Sequence, residues 1–84
     1  GLEDLVEVVL ERMGNVEDIL LVGDYAKGVD SGNIEVFLIG KNLNFNYISQ
    51  LEKKIENLIG RKVSFYLSSN IPTNQFHTKL YSKN

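Results

Sequence analysis

Few side chains in this sequence could do chemistry, and most of them lie between Gly23 and Glu35. Asp24 and Glu35 are the carboxylates that could hold a cation together, with Asp30 as a further donor from the loop between them. Two structural readings are preferred to that one. Asp24 is placed to cap a helical turn at Tyr25, and Glu35 reads as a solvated or paired carboxylate on a strand. His77, the single histidine, lies in a polar tail with no adjacent acid, so it reads as a surface residue. No Ser-His-Asp set can be assembled from one late histidine. The sequence has no cysteine, which excludes a disulfide scaffold, a zinc ribbon and a thiol nucleophile, and fits a reducing cytoplasm. Lys53, Lys54, Arg61 and Lys62 form a basic patch. Without a reader helix or interleaved aromatics, it reads as a solvated face.

These residues need elements to position them. Leu2, Leu5, Val6, Val9, Leu10 and Met13 recur at three- and four-residue steps and predict an amphipathic helix ending at Gly14. Glu3 and Asp4 crowd its first turn, where the helix dipole favours them. Ile19 to Val22 is a short apolar run of the kind buried on both faces of a sheet. A helical turn over Tyr25 to Gly28 and a loop over 29–33 lead to a second strand, Ile34 to Ile39. Its alternation sends Ile34, Val36 and Leu38 to one face and Glu35, Phe37 and Ile39 to the other. A second helix, capped near Asn44 or Asn46, carries the stripe Ile48, Leu51, Ile55, Leu58 and Ile59 and ends at Gly60. Arg61 to Ser68 is the third strand, with Ser64 and Tyr66 on one face, where Tyr66 is placed to cover a cleft beside Ser64. Residues 70–84 are expected to fray or to form a helical turn near Phe76. The expectation is one α+β domain over residues 1–84, a small three-stranded mixed sheet with helices packed on it. No run approaches the ~18 apolar residues of a membrane span.

The net charge of −2 conceals a division. Residues 1–40 carry nine acids against Arg12 and Lys27, whereas residues 41–84 carry Glu52 and Glu56 against seven Lys and Arg. Because fields act over roughly 8–10 Å at physiological salt, the two halves must be weighed separately.

The stretch from Leu21 to Gly40, LVGDYAKGVDSGNIEVFLIG, resembles the signature of the minimal nucleotidyltransferase fold of the polymerase-β-like superfamily. There a buried strand ends in Gly-Ser, a short x-Ala-x-Gly helix follows, and Asp-x-Asp stands on the next strand, with a third carboxylate from a later strand. Gly60-Arg61-Lys62-Val63-Ser64-Phe65-Tyr66 is similar to a strand of a subgroup in which this domain follows a winged-helix domain in transcriptional regulators, and Phe76 falls where that subgroup carries Glu-Phe. The resemblance spans about Ile19 to Phe76.

In such a site the two strand aspartates hold Mg²⁺ against a nucleoside triphosphate, and the Gly-Ser turn brings backbone N–H groups onto the phosphates. The resemblance thus assigns nucleotide-binding positions to Gly23, Asp24, Lys27 and Gly28, and catalytic ones to Asn33, Glu35 and Ser64. Asp24 replaces the phosphate-binding serine, Asn33 the first aspartate, Glu35 the second, and Ser64 stands at the third carboxylate. All are therefore vestigial positions, with no cofactor expected and only Glu35 and Asp24 left as metal donors. Acids at 24, 30 and 35 would repel a triphosphate.

The implied role is a regulatory, ligand-sensing or dimerising module of a prokaryotic transcriptional regulator, acting through a protein partner or self-association. DNA would be touched only by a separate winged-helix domain, and Gly1 reads as a remnant of an excised piece. Two alternatives remain. One is an active enzyme moving a nucleoside monophosphate from a triphosphate to a hydroxyl with Mg²⁺. The other is a module that binds a toxin partner.

Overall fold

Hydrophobic alternation and helical periodicity place most elements where the sequence puts them. A computed structural model describes all 84 residues. In chain order they are α1 (Leu2–Arg12), β1 (Val16–Val22), α2 (Gly23–Ala26), β2 (Asn33–Gly40), a 3₁₀ turn (Phe45–Tyr47), α3 (Ile48–Ile59), β3 (Lys62–Ser68) and β4 (His77–Ser82). The strands form one mixed sheet in the order β3-β2-β1-β4. β1 pairs antiparallel with β2 and β4, and β2 pairs parallel with β3.

The sheet has four strands where the sequence pattern predicts three, because the tail forms β4 instead of fraying or turning helical. The reason is the demand of its neighbour. Ile19, Leu20, Leu21 and Val22 are at most 5% exposed, so β1 is a central strand, and a central strand needs a partner on each side. β4 supplies the second, pairing from Val22–His77 to Asp18–Ser82 with an irregularity opposite Ile19 and Leu20. That irregularity lets consecutive residues, Leu80 and Tyr81, both pack against the core.

α1 and α3 lie on one face of the sheet. Leu5, Val9 and Met13 of the α1 region, Leu51 and Ile55 of α3, and Ile34, Val36 and Leu38 of β2 form the centre of the core, each at most 3% exposed. Leu58, expected in the apolar stripe of α3, is 55% exposed. It follows Leu51 by two full turns on the same stripe but lies in the last turn of α3, just before Gly60. Asn44 is the N-cap of the 3₁₀ turn that runs into α3, α3 itself has Tyr47 at its N-cap, and neither position makes a side-chain cap bond. Asn44 instead closes α1, its N–H and side-chain amide donating to the Met13 and Arg12 carbonyls at 3.0 and 3.4 Å. Gly60 ends α3 at φ +69°, a left-handed cap that favours glycine.

The opposite face of the sheet carries no long helix. The register builds it in rows: His77, Val22, Glu35 and Ser64 in one, Lys79, Leu20, Phe37 and Tyr66 in the next. The Phe37 and Tyr66 rings pair at 5.4 Å between centroids. β3 and β4 run the same way at opposite edges, so residues 69–76 must return along and across the sheet. The right-handed rule for such returns sends them over this face, opposite α3.

Edge β3 is protected by its own connecting helix. The Val63 N–H donates to Glu56 Oε2 at 3.0 Å and the Phe65 N–H to Glu52 Oε2 at 2.9 Å. Two edge amides that would otherwise template a further strand are satisfied within the chain.

Candidate functional site

The residues assigned to a site by the sequence meet where β1 ends against β2. Gly23 leaves the sheet at φ +68°, a conformation that costs any other residue roughly 1–2 kcal/mol. Val22, Glu35 and Ser64 are cross-strand neighbours in one row, and Asn33 lies opposite Lys62 where β2 and β3 begin. The side chain of Glu35 folds over the Gly23 turn, so that a Cβ added there would fall within contact distance of Glu35 Oε2. Its other oxygen, Oε1, accepts a hydrogen bond from the Tyr66 hydroxyl at 3.3 Å. Partial burial and the adjacent Glu35 charge raise the Tyr66 pKa above its ordinary 10, so the phenol stays a donor. Tyr66 thus covers the position beside Ser64, as its place on the strand suggested.

Asp24 does not cap the helical turn. α2 begins at Gly23 with Val22 as its N-cap and no side-chain cap bond, so Asp24 lies inside the first turn and points to solvent. Lys27 and Gly28 follow as an exposed turn in which Asp24 accepts from the Lys27 and Val29 amides at 3.0 and 2.9 Å through its main-chain oxygen. No group of three or more His, Asp or Glu side chains comes together with metal-ligating geometry.

Asp30, expected as a loop donor to a cation, is engaged elsewhere. Arg61 Nη2 and Nε approach its carboxylate at 3.0 and 3.3 Å, the Gly32 N–H donates to it at 3.2 Å, and the Tyr25 hydroxyl donates to Oδ1. The Arg61 hydrogen bond, then that of Tyr25, lowers the Asp30 pKa from 3.8 to about 2, and raises that of Arg61. This cluster ties α2 and the 27–32 loop to the start of β3. Its pairing was hidden in the sequence because the partners are 31 and 36 residues apart. It also removes Arg61 from the basic patch, leaving Lys53 and Lys54 on α3 and Lys62 on β3 as its exposed charges.

His77, read as an isolated surface residue, starts β4 in the same row as Glu35 with Val22 between them. Two strand spacings of about 4.8 Å separate them. Its Nδ1 lies 3.1 Å from the Gln75 carbonyl oxygen. The largest cavity, about 570 Å³, is lined by neither residue; it opens at the start of β3, where Lys62 pairs with Asn33, and its polar lining includes Asp30, Glu56, Arg61 and Lys62.

No protein-family model matches the sequence, and no curated protein matches it. Among solved structures, the chain superposes with a TM-score of 0.84 on the crystal structure of the toxin–antitoxin MntA-HpeT in a mutant with two Asp-to-Glu changes. The alignment covers 99% of this chain and 74% of the other at 15% identity. No helix is long and apolar enough to cross a membrane. At that identity the likeness establishes architecture alone: the chain has a nucleotidyltransferase-like α+β fold, a mixed sheet with helices packed on it.

Proposed function

We propose that this chain is a catalytically degenerate nucleotidyltransferase-like domain that works by protein contact rather than by nucleotidyl transfer. One observation carries the reading: the surviving strand carboxylate, Glu35, is folded over the glycine turn and bonded to Tyr66. The carboxylate occupies the space against the Gly23 backbone where a phosphate would need to approach. Asn33 and Ser64 offer neutral oxygens only, and Mg²⁺ favours near-ideal octahedral sites built from carboxylates and substrate phosphates. This donor set does not fit Mg²⁺.

In this reading the chain is the regulatory or dimerising part of a prokaryotic transcriptional regulator working in the cytoplasm, with a separate winged-helix domain reading DNA. The regulator context rests on the resemblance of residues 60–66 and on Phe76. A second reading, a module that binds a toxin protein, is favoured by the toxin–antitoxin neighbour. Both dispense with transfer chemistry.

The test is a titration of ATP and GTP with Mg²⁺ or Mn²⁺ while amide shifts are followed at Gly23 to Lys27. The expected outcome is no saturable change at millimolar nucleotide. Metal-dependent, saturable shifts at micromolar nucleotide would sink the proposal and restore the enzyme alternative. Co-purification with a toxin protein, or a winged-helix segment within the same natural chain, then separates the two contact readings.

A further inference from the structure

The outer surface of the helix layer is divided by charge. On α1, Leu5, Val8 and Val9 face the sheet, so Glu3, Asp4, Glu7 and Glu11 share the outward arc, and all four are exposed. On α3 the two glutamates are turned aside to the β3 amides. The outward charges of α3 are therefore Lys53 and Lys54 alone. Leu58 lies four residues from Lys54, on the flank facing α1 and away from Glu52 and Glu56, and is 55% exposed.

The two helices are antiparallel neighbours. Leu2 meets Ile59 at one end of the layer, and Asn44 bonds to Met13 at the other. Equal rise per residue then puts Lys54 at the height of Glu7. A two-fold axis parallel to the helices, on the midline between them, preserves height and exchanges sides. It sets α1 of one copy over α3 of the next, and the reverse, with Glu7 opposite Lys54 of the other copy twice over.

We infer that the helix layer is a self-association surface, occupied by a second copy of this chain in that two-fold arrangement. The inference deepens the protein-contact reading above by naming the partner and the face. It does not depend on whether the Gly23–Glu35 cleft binds nucleotide. Helices of 11 and 12 residues are about 17 Å long and pack about 10 Å apart, a footprint of roughly 350 Å² per copy. That is below the ~800 Å² per partner of a standard stable interface, so the dimer is weak and dynamic. Charge complementarity, with Leu58 as an apolar contact in the seam, selects its geometry.

The experiment is sedimentation equilibrium of the chain up to about 1 mM, a concentration suited to weak interfaces. Wild type should show a monomer–dimer equilibrium that weakens between about 50 mM and 1 M salt, as the screening length falls to about 3 Å. E7K and K54E each place like charges together twice, and each alone should dimerise about tenfold more weakly or worse. An equimolar mixture of the two variants restores both opposite-charge contacts in the heterodimer, so mixing should bring association back to near the wild-type level. Pairing of Glu7 with Lys54 inside one chain cannot produce that recovery. A wild-type monomer at 1 mM, dimerisation indifferent to the reversals, or no recovery on mixing would each overturn the inference. None of these results bears on the nucleotide titration, so the two ideas fail separately.

Discussion

Replacing Gly23 by alanine perturbs the candidate site at its tightest point and should separate two costs. The first is conformational. At φ +68° an alanine pays roughly 1–2 kcal/mol that glycine does not. The second is local crowding, since the new methyl would meet Glu35 Oε2. That atom is the far end of a flexible side chain, so Glu35 swings aside rather than straining the backbone. The cost of the swing is the hydrogen bond from Tyr66, about 0.5–1 kcal/mol given that Tyr66 is 43% exposed. The substitution should thus destabilise the wild type by about 1.5–3 kcal/mol, and by only about 1–2 kcal/mol in an E35A background, where the methyl has nothing to displace.

Urea unfolding of the four proteins of this cycle measures the coupling directly. With a slope of about 1 kcal/mol/M for a domain of this size, the wild-type midpoint should fall by about 1.5–3 M on G23A, and the E35A midpoint by about 0.5–1 M less than that. Phenol titration gives a second readout, since E35A removes the charge that raises Tyr66 and should bring its pKa down towards 10. Equal costs of G23A in both backgrounds would show that Glu35 does not lie over the turn. The reading of the site as occupied by its own carboxylate would then be wrong.

Three further outcomes follow from the same contacts. E52A and E56A should each cost about 1 kcal/mol and speed hydrogen exchange at the Phe65 and Val63 amides respectively, with exchange elsewhere in β2 little changed. Asp30 has its pKa lowered to about 2 in the fold against 3.8 ordinarily. Its stabilising effect is therefore complete above pH ~4 and lost as pH falls through 2, and R61A should move the Asp30 midpoint up towards 3.8 in a carbon-detected NMR titration. Deleting residues 77–84 strips β1 of its second partner and should abolish cooperative unfolding, whereas a frayed tail would leave the melting transition in place.

What could be read from the sequence was whatever a local period records. The 3.6-residue spacing of Leu2, Leu5, Val9 and Met13 gives α1, and the alternation of Ile34, Val36 and Leu38 gives the core face of β2 as the structure has it. The glycine signals at Gly23 and Gly60 mark real left-handed positions. β4 was obscured because two consecutive residues, Leu80 and Tyr81, face the core at a register irregularity, which breaks the period of two that identifies a strand. Leu58 misled in the opposite sense, since it keeps the period of the stripe yet stands 55% exposed in the last turn of α3, and a period does not record how far along a helix the covering layer extends. The Asp30–Arg61–Tyr25 cluster and the two glutamate locks on β3 are tertiary hydrogen bonds, and no spacing along the chain encodes them.

Those long-range contacts also redistribute the charge that the sequence divides into an acidic and a basic half. Three acids around the cleft were expected to repel a triphosphate, but Asp30 is neutralised by Arg61 and points its carboxylate into that pair. The repulsive field at the Gly23 turn is therefore the work of Asp24 and Glu35 alone. Of these, Glu35 is the effective one, because it is partly buried beside the backbone that a phosphate would have to touch, whereas Asp24 is exposed and screened. On the other side of the molecule, the same kind of internal bond takes Glu52 and Glu56 out of the surface and leaves α3 basic next to an acidic α1. Carboxylates committed to bonds inside the fold thus shape both faces: Glu35 folds over the Gly23 turn, and Glu52 and Glu56, bonded to β3 amides, leave α3 basic beside an acidic α1.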